Sequence, residues 1–253
     1  MIKIIYGATA QDAGVNGANV ITDLLKAKSN AVLGLATGSS PIGMYKELIA
    51  RYEKGEISFA DVKSVNLDEY VGLSADHDQS YAYFMNHQLF NHVDIKKENT
   101  NLPNGLAADP VAECARYDAV VASMGGVDIQ VLGIGNNGHI GFNEPAASFS
   151  KGTGLVDLTD STIDANARFF EKREDVPTQA LSMGVGQIMN ADKILLLAMG
   201  KGKAEILERS LFGDVTPAVP ASILQFFKGE VFVCADAEAL SVILEKHPDA
   251  VTY

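Results

Sequence analysis

Cysteine is scarce: Cys114 and Cys234 are the only two in 253 residues. They lie far apart and match no metal-ligand spacing, so the chain is expected in a reducing, cytoplasmic compartment with no metal site. Basic residues are also in the minority, 20 Lys and Arg against 32 Asp and Glu, for a net charge of −12. No run of them forms a stripe, which argues against nucleic acid and anionic membrane as partners. A phosphorylated small molecule is still compatible, because a few cations and backbone N–H groups bind phosphate locally. Long apolar runs are missing as well. None approaches a membrane span, and the strand-like Met1-Ile2-Lys3-Ile4-Ile5-Tyr6 is too short for the core of a signal peptide. Nor is there a repeat, a low-complexity tract or a linker. What remains is 47% apolar and 21% charged residues, the balance of a globular chain that buries a large core as one domain over residues 1–253.

Short β-rich runs alternate with helical stretches. Strands are expected at residues 3–6, 31–35, 62–67, 127–133, 193–198 and 230–234, and helices at 10–28, 43–54, 80–91, 110–124, 201–211 and 238–246. That order predicts an α/β fold of one domain with three αβα layers. Its sheet is mostly parallel and Rossmann-like, joined by right-handed crossovers. The polar stretch 146–175, with Gly152, Gly154 and several Ser and Thr, breaks the alternation. It reads as an insertion that forms either a lid or a static surface excursion.

In such a sheet, ligands bind beyond the carboxyl ends of the strands. The richest of those ends follows the apolar run 127–132: Gly133-Ile-Gly-Asn-Asn-Gly-His-Ile-Gly-Phe-Asn-Glu-Pro145. His139, Glu144 and several side-chain amides, Asn137 among them, crowd into one loop. Its four glycines allow positive φ and leave N–H groups free to face a substrate oxygen. A lone loop histidine is usually a satisfied turn residue. His139 with a carboxylate five residues on, behind a buried strand, reads instead as part of a site.

Three more segments carry chemistry. Leu33-Gly-Leu-Ala-Thr-Gly-Ser-Ser-Pro41 is a strand, a turn and a helix start with Pro41 near the first position. Unpaired helix N–H groups and the Ser39 and Ser40 hydroxyls suit a phosphate, and Ser40 as a plain helix cap is equally compatible. The Lys of a triphosphate loop and the three-glycine spacing of a dinucleotide turn are both absent. In Val65-Asn-Leu-Asp-Glu-Tyr-Val-Gly72, Asp68 and Glu69 sit where a strand gives way to loop. One carboxylate is expected to face the crevice, where burial would raise its pKa toward neutrality and make it a proton-transfer base. The plainer possibility is that one of the pair caps a helix or holds a surface Lys. Arg168, in Asn166-Ala-Arg-Phe-Phe170, suits a bidentate phosphate clamp, and Lys203 at a helix start could reach the same anion. Tyr81, Phe84 and Phe90 read as core packing, and His77 as part of a solvated turn.

Together the four segments resemble the glucosamine-6-phosphate deaminase family, in order along the chain from the first strand to about Ala239. The resemblance implies conversion of glucosamine 6-phosphate and water to fructose 6-phosphate and ammonium, with neither metal nor organic cofactor. His139 would open the pyranose ring by moving a proton between the C1 hydroxyl and the ring oxygen, with Glu144 orienting the imidazole. Asp68 would carry the C2 proton to C1 through an enolamine. The Gly138 N–H would donate to oxygen near C1. Gly38, Ser39, Ser40, Arg168 and Lys203 would hold the phosphate, with Thr37 and Glu69 lining the crevice.

Two departures from the family pattern qualify the resemblance. Some members carry Asp where this chain has Asn137, an amide that bridges and positions but takes no proton as a carboxylate does. Hexameric members bind the activator N-acetylglucosamine 6-phosphate through an Arg and a Lys at positions that match Gly154 and Val156, which Asp157 follows here. With the short stretch after His247, this implies a non-allosteric monomer. Two other readings share the crevice. A 6-phosphogluconolactonase needs no C2 base, so Asp68 speaks against it. A non-catalytic sugar-phosphate sensor usually accompanies a DNA-binding module, for which the chain shows no basic helix.

Overall fold

All six expected strands form in the computed structural model, which describes residues 1–167 and 170–253 and gives the backbone alone at Ser161, Ala165 and Asn166. The strands are β1 (Ile2–Gly7), β2 (Val32–Leu35), β3 (Lys63–Asn66), β4 (Asp68–Tyr70), β5 (Thr100–Asn101), β6 (Ile129–Gly133), β7 (Gly154–Asp157), β8 (Gln179–Ser182), β9 (Lys193–Ala198), β10 (Glu230–Asp236) and β11 (Val251–Thr252). The helices are α1 (Ala10–Ala27), α2 (Ile42–Glu53), α3 (Tyr81–Gln88), α4 (Pro110–Ser123), α5 (Asp160–Asn166), α6 (Val185–Ile188), α7 (Ala204–Phe212) and α8 (Ser241–Lys246). Among the described residues no helix is long and apolar enough to cross a membrane.

Eight of the described strands pair in the order β11-β1-β10-β9-β6-β2-β3-β5, every ladder parallel. Helices flank this sheet, as the alternation predicted. Its central strands are apolar on both faces: Leu195, Leu196 and Leu197 of β9 are fully buried one after another, the signature of a covered parallel sheet. Local chemistry fixes where the helices begin. At α1 the Thr9 hydroxyl accepts from the Asp12 N–H while the Asp12 carboxylate accepts from the Thr9 N–H, a reciprocal cap that satisfies two otherwise orphaned donors.

The order of the strands places the site. The connection from β2 runs through α2 to β3 on one side, whereas β6 leads on to β9 on the other. β2 and β6 are paired, with Gly34 opposite Gln130, so their following loops part and leave a crevice at the switch of direction.

A second, antiparallel sheet, β4-β8-β7, closes over that crevice. Only Leu67 separates β3 from β4, so the chain passes straight from one sheet into the other. Asp68 and Glu69 are therefore not the start of a loop: pairing of Asp68 with Ser182 and of Glu69 with Leu181 extends them as strand. The 146–175 stretch contributes β7 and α5 to this unit. Leu158 and Ile163 pack there with Tyr70, Phe142, Val176 and Ala180 in a small core of their own.

Candidate active site

A cavity of about 280 Å³ opens at the β2/β6 divergence. Thr37 and Gly38 line it from the loop after β2, Asp68 from β4, Asn136 and His139 from the loop after β6, Tyr81 from α3, Thr162 from α5, and Lys203 from the residue that precedes α7. An adjoining cleft of about 720 Å³ shares Lys203 and holds Ser39 and Ser40. Segments spread over most of the chain thus meet at one sheet edge.

The loop after β6 folds back so that Gly135 N–H donates to the His139 carbonyl (2.9 Å). Any side chain at Gly135 would collide with the His139 ring, so glycine is what admits the imidazole. Asn137 bridges the two groups the sequence singled out. Its Oδ1 accepts from the His139 N–H (3.2 Å) and lies 2.8 Å from Nδ1, while its Nδ2 donates to Glu144 Oε2 (2.6 Å). Glu144 Oε1 stands 3.4 Å from His139 Nδ1 and accepts from the Thr162 hydroxyl (2.8 Å). Both neighbours of Nδ1 are acceptors, which assigns the proton to Nδ1 and leaves Nε2 as the basic nitrogen. Among the described residues none hydrogen-bonds Nε2. Burial pulls the Glu144 pKa upward, but the His139 ring, Asn137 and Thr162 more than offset it and hold the carboxyl at about 2, ionised at any working pH.

Asp68 and Glu69 are both buried, at 5% and 3% exposed, yet they part company. Successive residues of a strand face opposite ways. Asp68 lines the cavity, and burial, with the Glu69 carboxylate beside it, pushes its pKa up to about 8. Glu69 turns to the first turn of α3, where it accepts from the N–H groups of Tyr70 (2.9 Å), Tyr81 (2.9 Å) and Ala82 (2.8 Å). Its expected place on the crevice wall is thereby corrected. It is the helix-capping member of the pair, committed to backbone donors.

Several other expectations are refined. Gly138, at φ +86°, donates its N–H to the Gly135 carbonyl (3.0 Å), so that group is spent on the turn and not aimed at a substrate oxygen. Ser40 does not cap α2: Pro41 occupies the N-cap position, with no side-chain cap bond. Lys203 Nζ reaches Asn136 Oδ1 (2.6 Å), and burial lowers its pKa. Arg168 lies outside the described residues. Tyr81, expected in the core, lines the cavity with its phenol hydrogen-bonded to Thr37 and Tyr70 and its ring stacked on Phe142 at 6.1 Å. Thr162 went unnoticed altogether.

The family model for glucosamine-6-phosphate isomerases and 6-phosphogluconolactonase matches residues 7–233. The chain belongs to this family. Within it, a glucosamine-6-phosphate deaminase of Lachnoclostridium phytofermentans is 53% identical over 233 residues, covering 92% of this chain and 99% of its own. One of Clostridioides difficile is 54% identical over 222 residues, covering 88% and 89%. A solved structure of a monomeric glucosamine-6-phosphate deaminase superposes with a TM-score of 0.91 at 44% identity, covering 95% of this chain and 99% of that one. The Trypanosoma brucei 6-phosphogluconolactonase, at TM-score 0.73 and 19% identity over 95% and 98%, shares the fold alone. The family's α/β fold and the order of its motifs are those of this chain.

Proposed function

We propose that this family member is a glucosamine-6-phosphate deaminase, converting glucosamine 6-phosphate and water to fructose 6-phosphate and ammonium. The observation that carries the reading is a buried carboxyl, Asp68, facing the same small cavity as an imidazole whose far nitrogen is held by an ionised acid and an amide. Aldose–ketose isomerisation asks for those two proton movers and little else.

The steps follow from the residues. Gly38, Ser39, Ser40 and Lys203 hold the phosphate at the mouth of the crevice, and that remote binding sets C1 and C2 against the reacting groups. His139 Nε2 takes the C1 hydroxyl proton and returns it to the ring oxygen, which opens the pyranose to the aldehyde. Glu144 and Asn137 fix the tautomer and stabilise the transient imidazolium. Asp68, as carboxylate, removes the C2 proton to give the enolamine and delivers it to C1. Water then adds to the resulting C2 imine, and nitrogen leaves as ammonium. Every step moves protons, so neither metal nor organic cofactor is called for. Lactone hydrolysis would leave the buried base without a task.

The enzyme is proposed to work as a cytoplasmic monomer, and buried, unpaired Cys114 and Cys234 suit a reducing compartment. Equal release of ammonium and fructose 6-phosphate from glucosamine 6-phosphate in EDTA tests the whole reading. Lactonase activity without ammonium release refutes it.

A further inference from the structure

We propose that Thr162 is a positioning residue for ring opening, holding Glu144 in the orientation that serves His139; the inference rests on the deaminase reading above. Thr162 belongs to α5, in the polar insertion that sequence alone left as a lid or a passive excursion. It is 9% exposed and on the cavity wall. Its hydroxyl accepts from Thr159 Oγ1 (3.0 Å) and donates to Glu144 Oε1 (2.8 Å), a residue 18 positions away in the chain. A hydroxyl has one proton to give. With Thr159 supplying the hydrogen at its lone pair, the proton of Thr162 is directed at the carboxylate.

Each oxygen of Glu144 is therefore pinned by a neutral donor from a different segment: Oε2 by Asn137 from the loop after β6, and Oε1 by Thr162 from the insertion. Pinned at both ends, the carboxylate plane is fixed with Oε1 3.4 Å from His139 Nδ1. As Nε2 takes up the C1 proton, Nδ1–H becomes a stronger donor, and a fixed, ionised acceptor beside it stabilises the imidazolium without reorganising. With Thr162 silent, one end of Glu144 is free to turn, and the partner of His139 is no longer held in place. A hydroxyl that merely satisfied a buried carboxylate would affect folding. A positioning hydroxyl affects one chemical step.

The test compares Thr162→Val, which keeps the shape and removes the donor, with Thr162→Ser, which restores it. Kinetics with glucosamine 6-phosphate are read beside binding of 2-amino-2-deoxyglucitol 6-phosphate, an open-chain analogue with no ring to open. Thr162→Val is expected to lose about tenfold in kcat, the scale for one hydrogen bond to a charged group, with KM and analogue affinity within about twofold of wild type. Thr162→Ser should recover most of the loss. Unchanged kcat in Thr162→Val overturns the proposal, and so does a kcat loss matched by lost analogue binding and not restored by serine. A wild-type protein that releases no ammonium overturns instead the deaminase reading beneath it.

Discussion

Replacing Asp68 by Asn should abolish turnover and at the same time stabilise the protein. Burial, reinforced by Glu69, raises the Asp68 pKa from 3.8 to about 8. The folded chain thus binds this proton more tightly than the unfolded chain does. Stability from this group is accordingly highest below about pH 4, falls as pH climbs through the window from about 4 to about 8, and is level above it. At about 1.4 kcal/mol per pH unit, the ionised carboxylate costs on the order of 5 kcal/mol above pH 8. Asparagine escapes the charge but still buries an amide, so a net gain of about 1–3 kcal/mol is expected, or roughly 3–8 °C in Tm. The assay is thermal unfolding of both proteins from pH 5 to pH 9, with the Tm gap plotted against pH. The gap should widen up to about pH 8 and then hold. A gap independent of pH, or a less stable Asp68→Asn, would refute the account of a strained, buried acid. In the same protein turnover should fall by about 10³-fold, the scale for a proton-transfer base, while substrate still binds. Wild-type kcat/KM should rise with pH toward about 8, because the working form of Asp68 is the carboxylate.

Glu69→Ala removes acceptors from three backbone N–H groups at the start of α3, so it should lower stability by about 2–4 kcal/mol in denaturant titrations. A stable variant with raised KM would mean that Glu69 faces substrate after all. Lys203→Ala should raise KM for glucosamine 6-phosphate by about 10- to 100-fold, with a smaller effect on kcat, since it removes a phosphate cation from the shared edge of cavity and cleft. Rate curves for the wild type should be hyperbolic and unmoved by N-acetylglucosamine 6-phosphate. At the β7 positions where an anionic activator needs cations stand Gly154 and Val156, with Asp157 beside them. A sigmoidal curve relieved by that compound would contradict this.

Much of the site was legible because short-range rules govern it. A run such as 127–132 can only be a strand buried on both faces, and whatever follows it must emerge at the carboxyl edge of the sheet. His139, Glu144, Lys203 and the Gly38–Ser40 turn were placed that way, from strand ends and turn chemistry. Residues that entered or left the site did so through contacts between distant segments. Tyr81 looked like core because an aromatic residue at a helix start shows nothing of Thr37 and Tyr70, its hydrogen-bond partners. Thr162 was one polar residue among many until α5 set its hydroxyl on Glu144.

The sequence by itself therefore determined the alternating elements, the parallel sheet and the inventory of reactive groups at its edge, since periodicity and turn propensity act over a few residues. Which of two adjacent acids became the buried base was decided only in three dimensions. The antiparallel register of β4 on β8 turns Asp68 into the cavity and Glu69 onto α3, and that register depends on a strand more than a hundred residues away.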